Sequence, residues 1–348
     1  MIAGKSTPTS LSPTELDDYL ARGWYRIGAS MITTEYLERD GKLTSTIWTR
    51  LDLTTHTFRK SLRKQMGKVA RSFRVEVGPF VPNVAHEQVY AEYRQLVGGR
   101  RAETLDEVLG GEEGMRLFDT REVRVYDGPD LAAFSLFDMG KTSVQSIAGI
   151  YHPKYKKHGL GFYTMLAEIE HCAAVGVHFH YSGYIVTGSS FMDYKLRVGN
   201  LEYFDPESQA WLSVSPYPPG ESPAEVLQTR LEEARDALAE SGSFPVFALN
   251  SALQYPELRK AAPGCTMEPV LLYCQREDRP WGILVTYNRH EKKYDLFSGT
   301  ALSLELESTA GNPVPIHLFL PRENLTPCKS TSEVAFWVRH YLAILGRG

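Results

Sequence analysis

The chain has 348 residues, 43% of them hydrophobic and 23% charged, with a net charge of −4. Those values describe a folded protein with room for two domains and exclude an intrinsically disordered chain. Charge near balance carries no global sign of a polyanionic partner, so any nucleic-acid surface has to come from local clustering. Cys172, Cys265, Cys274 and Cys328 lie far apart and form no CxxC pair. The sequence therefore predicts no zinc ribbon, no iron–sulfur cradle and no metal site. It also lacks a secretory signal and any run of about 18 apolar residues, which predicts a cytoplasmic protein with free thiols and no membrane span.

In chain order, Ser12-Pro13-Thr14-Glu15 carries a capping box with proline at the first helical position, and the helix it opens stops at Gly23. Strands are predicted over 25–33 and 46–53, around the polar turn Glu38-Arg39-Asp40-Gly41, and a helix over 85–97. The middle is the most legible part. Strands over 131–137 and 144–151 flank a turn at 138–142, a helix with Leu160, Tyr163, Leu166, Ile169 and Ala173 on one face spans 159–175, and a strand spans 177–186. Strand, helix, strand at that spacing implies a crossover between adjacent parallel strands. Prolines 216, 218, 219 and 223 crowd a linker, dividing the chain into domains at 1–214 and 215–348. Beyond it a second capping box, Ser222-Pro223-Ala224-Glu225, opens a charged helix to about Ser241. Strands follow at 270–274, 281–288, 293–297 and 316–320, and a helix at 332–345 closes the chain.

Three features could carry chemistry. Arg59, Lys60, Arg63, Lys64, Lys68, Arg71 and Arg74 stand between Thr54 and Val75 with no acidic residue among them. Like charges at that density need solvent or a polyanion, and Trp48, Phe58 and Phe73 nearby could stack on unpaired bases. Lys156-Lys157-His158-Gly159-Leu160-Gly161 sits at a strand-to-helix junction, where glycines and helix N–H groups can cradle a phosphate. The same pattern also suits a glycine pair packing a helix start against its strand. Finally, the tyrosine-rich strand His180–Val186 leads into Phe191-Met192-Asp193-Tyr194-Lys195 and could line a cleft with hydroxyls.

Taken together these segments resemble the arginyl-tRNA–protein transferases and the related bacterial leucyl/arginyl transferases. Gly23-Trp24-Tyr25-Arg26-Ile27-Gly28 resembles the family's "GWRRSG" opening, and Arg59–Lys64 its basic run. Gly149-Ile150-Tyr151-His152-Pro153-Lys154-Tyr155 is similar to "YYDPDY", Gly159–Tyr163 to "SLGVYS", and Gly183-Tyr184-Ile185 through Asp193-Tyr194-Lys195 to "GYYI…KMRYK". The similarity covers roughly 12–213. It implies an α/β (α+β) fold with a GNAT-like (acetyltransferase-like) mixed sheet and flanking helices, joined here to a strand-rich C-terminal region of unassigned role. It further implies transfer of an amino acid, arginine or leucine, from charged tRNA to the amino group of a protein, peptide or small-molecule acceptor, with aminoacyl-tRNA as co-substrate and no other cofactor. On this reading His152 or Asp138 handles the proton, while Tyr181, Tyr184 and Lys195 bind or stabilise the reacting groups. Arg50, Arg59, Lys60, Arg63 and Lys64 hold the tRNA, and Lys156, Gly159 and Gly161 form the phosphate turn. Two departures stand out: 36–47 lacks the family's clustered cysteines, and His152 and Lys154 replace two acids. An acyl-coenzyme A-dependent acyltransferase and a non-catalytic tRNA-binding protein are the alternatives.

Overall fold

The computed structural model describes residues 3–39, 41–97, 102–187, 190–243, 245–250, 262–275, 281–306 and 314–344. Two compact units emerge: Gly4–Thr33 with Ile47–Pro216, and Met1–Ala3 with Thr34–Thr46 and Tyr217–Gly348.

The first unit begins with β1 (Ala3–Ser6) and α1 (Pro13–Ala21). The capping box forms as expected, with the Glu15 N–H donating to Ser12 Oγ at 3.3 Å and the Ser12 N–H to Glu15 Oε2 at 2.7 Å. The strand expected over 25–33 is instead a hairpin of β2 (Tyr25–Ile27) and β3 (Ser30–Thr34), because Gly28 turns the chain at a φ of 58°. After β4 (Tyr36–Arg39) and β5 (Lys42–Asp52), the basic run forms α2 (Lys60–Ser72). Then come β6 (Arg74–Pro79), α3 (Val84–Val97), α4 (Leu105–Leu109), α5 (Gly111–Leu117), β7 (Thr120–Asp127), β8 (Asp130–Met139) and β9 (Ser143–Tyr151). Helix α6 (Leu160–Ala174) crosses over to β10 (Phe179–Val186), followed by β11 (Leu201–Asp205) and β12 (Ala210–Leu212).

The main sheet has the order β12-β11-β5-β10-β9-β8-β7-β6. Its neighbours from β6 to β9 are antiparallel, whereas β9 and β10 are parallel. Period-two alternation splits the apolar residues between its faces. Val123, Val125, Ala133 and Phe137 meet Leu62, Met66 and Val69 of α2 and Leu160, Leu166 and Ile169 of α6. Phe134, Leu136 and Ile150 meet Val89, Tyr90, Leu105 and Leu109 on the opposite side. A bulge in β9 opposite Leu136 and Phe137 shifts the register between the two sets.

One detail of this sheet positions the site. Strands β9 and β10 pair only at Ser143–Phe179, Val144–His180 and Gln145–Tyr181. Beyond Gln145 and Tyr181 their shared ladder ends, although β9 stays paired to β8 as far as Tyr151. Parallel strands that part in this way leave backbone and side chains facing a gap at their C-terminal ends, where ligands of α/β units gather.

In the second unit, α7 (Pro223–Glu240) and α8 (Thr331–Ile344) pack on an antiparallel sheet of sequential order. Its strands are β13 (Val246–Leu249), β14 (Val270–Gln275), β15 (Gly282–Asn288), β16 (Lys293–Leu306) and β17 (Val314–Asn324). Leu227, Leu231, Ala234 and Leu238 form the buried stripe of α7 against Val270, Leu272, Ile283 and Val285. Among the described residues no helix is long and apolar enough to cross a membrane.

Candidate active site

The C-terminal half of β10 and the 3-10 turn Ser190–Val198 that follows it bring together the tyrosine-rich segment and Lys195. Lys195 is 7% exposed, and burial alone pushes its amine from the ordinary 10.5 down to about 7. Its Nζ donates to the Tyr184 carbonyl at 2.8 Å and lies 5.6 Å from the centre of the Tyr184 ring. No carboxylate pairs with it, so the amine is poised between its two protonation states near neutral pH. Gly183 makes this approach feasible: its φ is 85°, and a β-carbon there would stand 3.2 Å from Lys195 Nζ and 3.4 Å from the Tyr25 ring.

Aromatic rings close around the same point. Trp48 of β5 meets Tyr25 at 5.4 Å and Tyr184, edge-on, at 5.3 Å. Burial pushes the Tyr25 phenol well above its ordinary value, and the Glu168 and Asp138 carboxylates reinforce the shift, so it stays a neutral hydrogen-bond donor. A narrow recess beside Lys195 is walled by Tyr25, Trp48, Thr49, Tyr181, Gly183 and Trp211. Tyr181 is 4% exposed; its hydroxyl accepts from Arg50 at 3.4 Å, and its ring packs on Trp211 at 5.4 Å.

Three of the expected site residues take other parts. Asp138 lies in β8 and not in a turn, fully buried, and both of its oxygens accept from Arg26 Nη1 at 2.8 and 2.9 Å. Thr120 donates to it at 2.7 Å. An enclosed, ion-paired carboxylate is an anchor for β2 and cannot carry protons to solvent or substrate. Arg50 is clamped between Phe179 and Trp211, at 4.1 and 4.6 Å, and pairs with Glu202 at 2.6 Å, which leaves it no freedom to grip a phosphate. His152 caps the 3-10 turn Pro153–His158, with its Nδ1 accepting the Lys154 N–H at 3.2 Å. That lone pair is the one a neutral imidazole would use as a base, so its free nitrogen carries the hydrogen and His152 is not placed to accept a proton.

The phosphate turn also divides. Gly159 turns the chain at a φ of 65° as the N-cap of α6. Gly161 is a packing glycine: a β-carbon on it would meet the Tyr151 ring at 3.0 Å, and one on Gly149 would meet the Gly161 carbonyl at 2.8 Å. Lys156 and Lys157 are exposed.

The basic run is amphipathic. Leu62, Met66 and Val69 face the core while Lys60, Arg63, Lys64, Lys68 and Arg71 face solvent. Arg59 donates to the Arg197 carbonyl, and Arg74 pairs with Glu76. Gln65 approaches both Gly159 and Arg197, and Phe73 meets His158 at 5.2 Å. Cations from α2, the 153–158 turn and Arg197 therefore share one surface, although they are separate in sequence.

Several buried polar groups escaped the sequence reading. Glu168 of α6 and His180 of β10, both fully buried, meet at 3.2 Å. Gln145 accepts the Arg26 N–H at 3.1 Å, while its Nε2 finds no partner among the described residues. Arg26 could have been found, since it lies within the quoted Gly23–Gly28 motif; the helix-to-strand pair had no local signal. Burial pushes the Cys172 and Cys274 thiols up to about 12, which marks them as packing residues.

A mixed sheet with a crossover helix between parting parallel strands, an amine poised near neutrality and a cationic flank together define an acyl-group transferase of the acetyltransferase-like class. A family model described as "Arginine-tRNA-protein transferase, C terminus" matches residues 64–205. The aspartate/glutamate leucyltransferase of Methylobacterium nodulans is 30% identical over 179 residues, covering 41% of this chain and 71% of the relative. That of Hyphomonas neptunium is 29% identical over 119 residues, covering 34% of this chain and 42% of its own length. Among solved structures, a tandem GNAT protein from the clavulanic acid biosynthesis pathway is 12% identical, with a TM-score of 0.34 over 57% of this chain and 60% of that one. The chain belongs to the leucyl/arginyl-tRNA–protein transferase family, a family of aminoacyltransferases.

Proposed function

We propose that the protein transfers leucine from leucyl-tRNA to the amino group of a protein or peptide. The recess beside Lys195 carries this reading. Its walls are aromatic and small residues with no carboxylate, which suits an apolar side chain. A guanidinium would lose its hydration there without a partner. The solvent-facing cations of α2, with Lys156 and Lys157, would track the tRNA backbone and hold the acceptor end across the gap between β9 and β10.

The acceptor amine attacks the ester carbonyl that joins the amino acid to the terminal ribose. A carbon–nitrogen bond forms, the carbon–oxygen bond breaks, and one proton must pass from the amine to the leaving ribose oxygen. The Lys195 amine, near 7, takes that proton and returns it, and needs no further cofactor. Because the ester is already activated, positioning supplies much of the remaining acceleration. Tyr25 and Tyr184 orient the ester from either side of Trp48.

The test is transfer of radiolabel to peptide acceptors from leucyl-tRNA, arginyl-tRNA and acyl-coenzyme A in parallel. Labelling from leucyl-tRNA alone is the expected outcome. Labelling from arginyl-tRNA would refute the apolar recess as the selector, and labelling from acyl-coenzyme A would move the protein to the acyl-coenzyme A-dependent transferases.

A further inference from the structure

A cavity of about 610 Å³ opens between α3 and the end of β9, on residues that neither the ester nor the tRNA needs. Its size falls within the roughly 300–1,000 Å³ usual for ligand clefts. Helix α3 contributes Gln88, Glu92 and Gln95, spaced four and three apart along one exposed stripe, and the β7–β8 turn contributes Asp130. The far wall is His152 and Lys154. Charge is thus sorted by element, with carboxylates on the helix and hairpin side and cations on the β9 side.

We propose that this cleft is the acceptor subsite and that it takes a polypeptide N-terminus whose first residue is acidic. The α-ammonium would sit between Glu92 and Asp130 while the neighbouring carboxylate meets Lys154 and His152. The capping bond explains why histidine serves here: with Nδ1 tied to the Lys154 N–H, the other ring nitrogen keeps its hydrogen and donates, in the neutral and the charged ring alike. Both cations stand where the resembled family carries acids. The cleft adjoins the C-terminal end of β9, and Tyr184 lies in the C-terminal half of β10, which runs parallel to it.

This inference rests on the transfer reading above, and two measurements separate them. The first is direct titration of the protein, without tRNA, by fluorescent peptides beginning Asp, Asn or acetyl-Asp. The second is the peptide KM at saturating leucyl-tRNA for the wild type, Lys154→Ala and Glu92→Gln. The Asp peptide should bind at least about tenfold tighter than the other two, and each substitution should raise its KM about tenfold or more. Neither substitution should change tRNA affinity or the slow hydrolysis of the ester. Equal binding of the three peptides, or unchanged KM in both variants, would overturn the assignment. Selective binding of the Asp peptide by a protein that labels no acceptor would uphold the cleft and refute transfer instead. Variants that lose tRNA affinity as well would point to a general folding defect and count against the cleft.

Discussion

The two units bury their interiors in opposite ways. The second is an antiparallel meander whose core is Leu, Val and Ile from two helices and a sheet. The first encloses charge and amide groups: the Arg26–Asp138 pair, the Glu168–His180 pair, the amide of Gln145 and the amine of Lys195, all 7% exposed or less. Burying such groups destabilises a fold unless they are paired or used. Those without full pairing lie on or beside the two parallel strands where their ladder ends. One unit is built for stability, and the other gives up stability to hold a site.

Substitutions should expose that asymmetry. The largest loss is expected from Asp138→Ala, which strands Arg26 in the interior at a cost of about 3–5 kcal/mol. Because Arg26 also fixes the Gly28 and Leu109 carbonyls, urea unfolding should fall and transfer should fall with it. Leu231→Ala in α7, fully buried, should cost about 2–5 kcal/mol through the cavity it leaves. Under conditions where that variant is still folded, its transfer rate should match the wild type.

Lys195→Met should move activity and stability in opposite directions. Removing the proton acceptor should slow transfer by about 10²–10⁴-fold. The folded amine is near 7 against an ordinary 10.5, so the unfolded chain binds more protons across that interval. Wild-type stability should therefore climb with pH from about 7 to about 10.5, and be lowest below 7, where the charge is forced into the interior. The Met variant should melt higher at neutral pH and lose this climb, as thermal melts across pH would show.

Smaller effects are expected at the surface. Alanine at Lys60, Arg63 and Lys64 should weaken tRNA binding and flatten its log–log salt slope by about 2–3, with melting unchanged. An unaltered slope in filter binding would detach α2 from the tRNA. Smallest of all, Ser222→Ala removes the α7 cap and should cost about 1 kcal/mol without touching transfer.

The contrast also explains what could be read from the chain. Both capping boxes, the α6 stripe and the crossover were legible because each is a local pattern of spacing and turn chemistry. The basic run was legible as charge, and its amphipathic helix was implicit in Leu62, Met66 and Val69 at offsets of four and three. Lys195 and Tyr184 were found only through family resemblance, since the depression of an amine depends on surroundings that no spacing encodes. Asp138 and His152 were misjudged for a related reason: residue type suggested proton transfer, and tertiary partners decided otherwise. The Arg26 side chain comes from 112 positions away, whereas the His152 cap is local but identical in sequence to a free histidine before proline.

The account stands most directly on Lys195, and the measurement that tests it is the single-turnover rate of leucine transfer to a peptide as a function of pH. With the wild type it should rise through a single ionisation near pH 7 and then level, and with Lys195→Met it should be slow and flat across that range. A wild-type rate with no inflection between pH 6 and 8, or a Met variant that keeps both the rate and the inflection, would remove Lys195 from the chemistry and with it the proposed site.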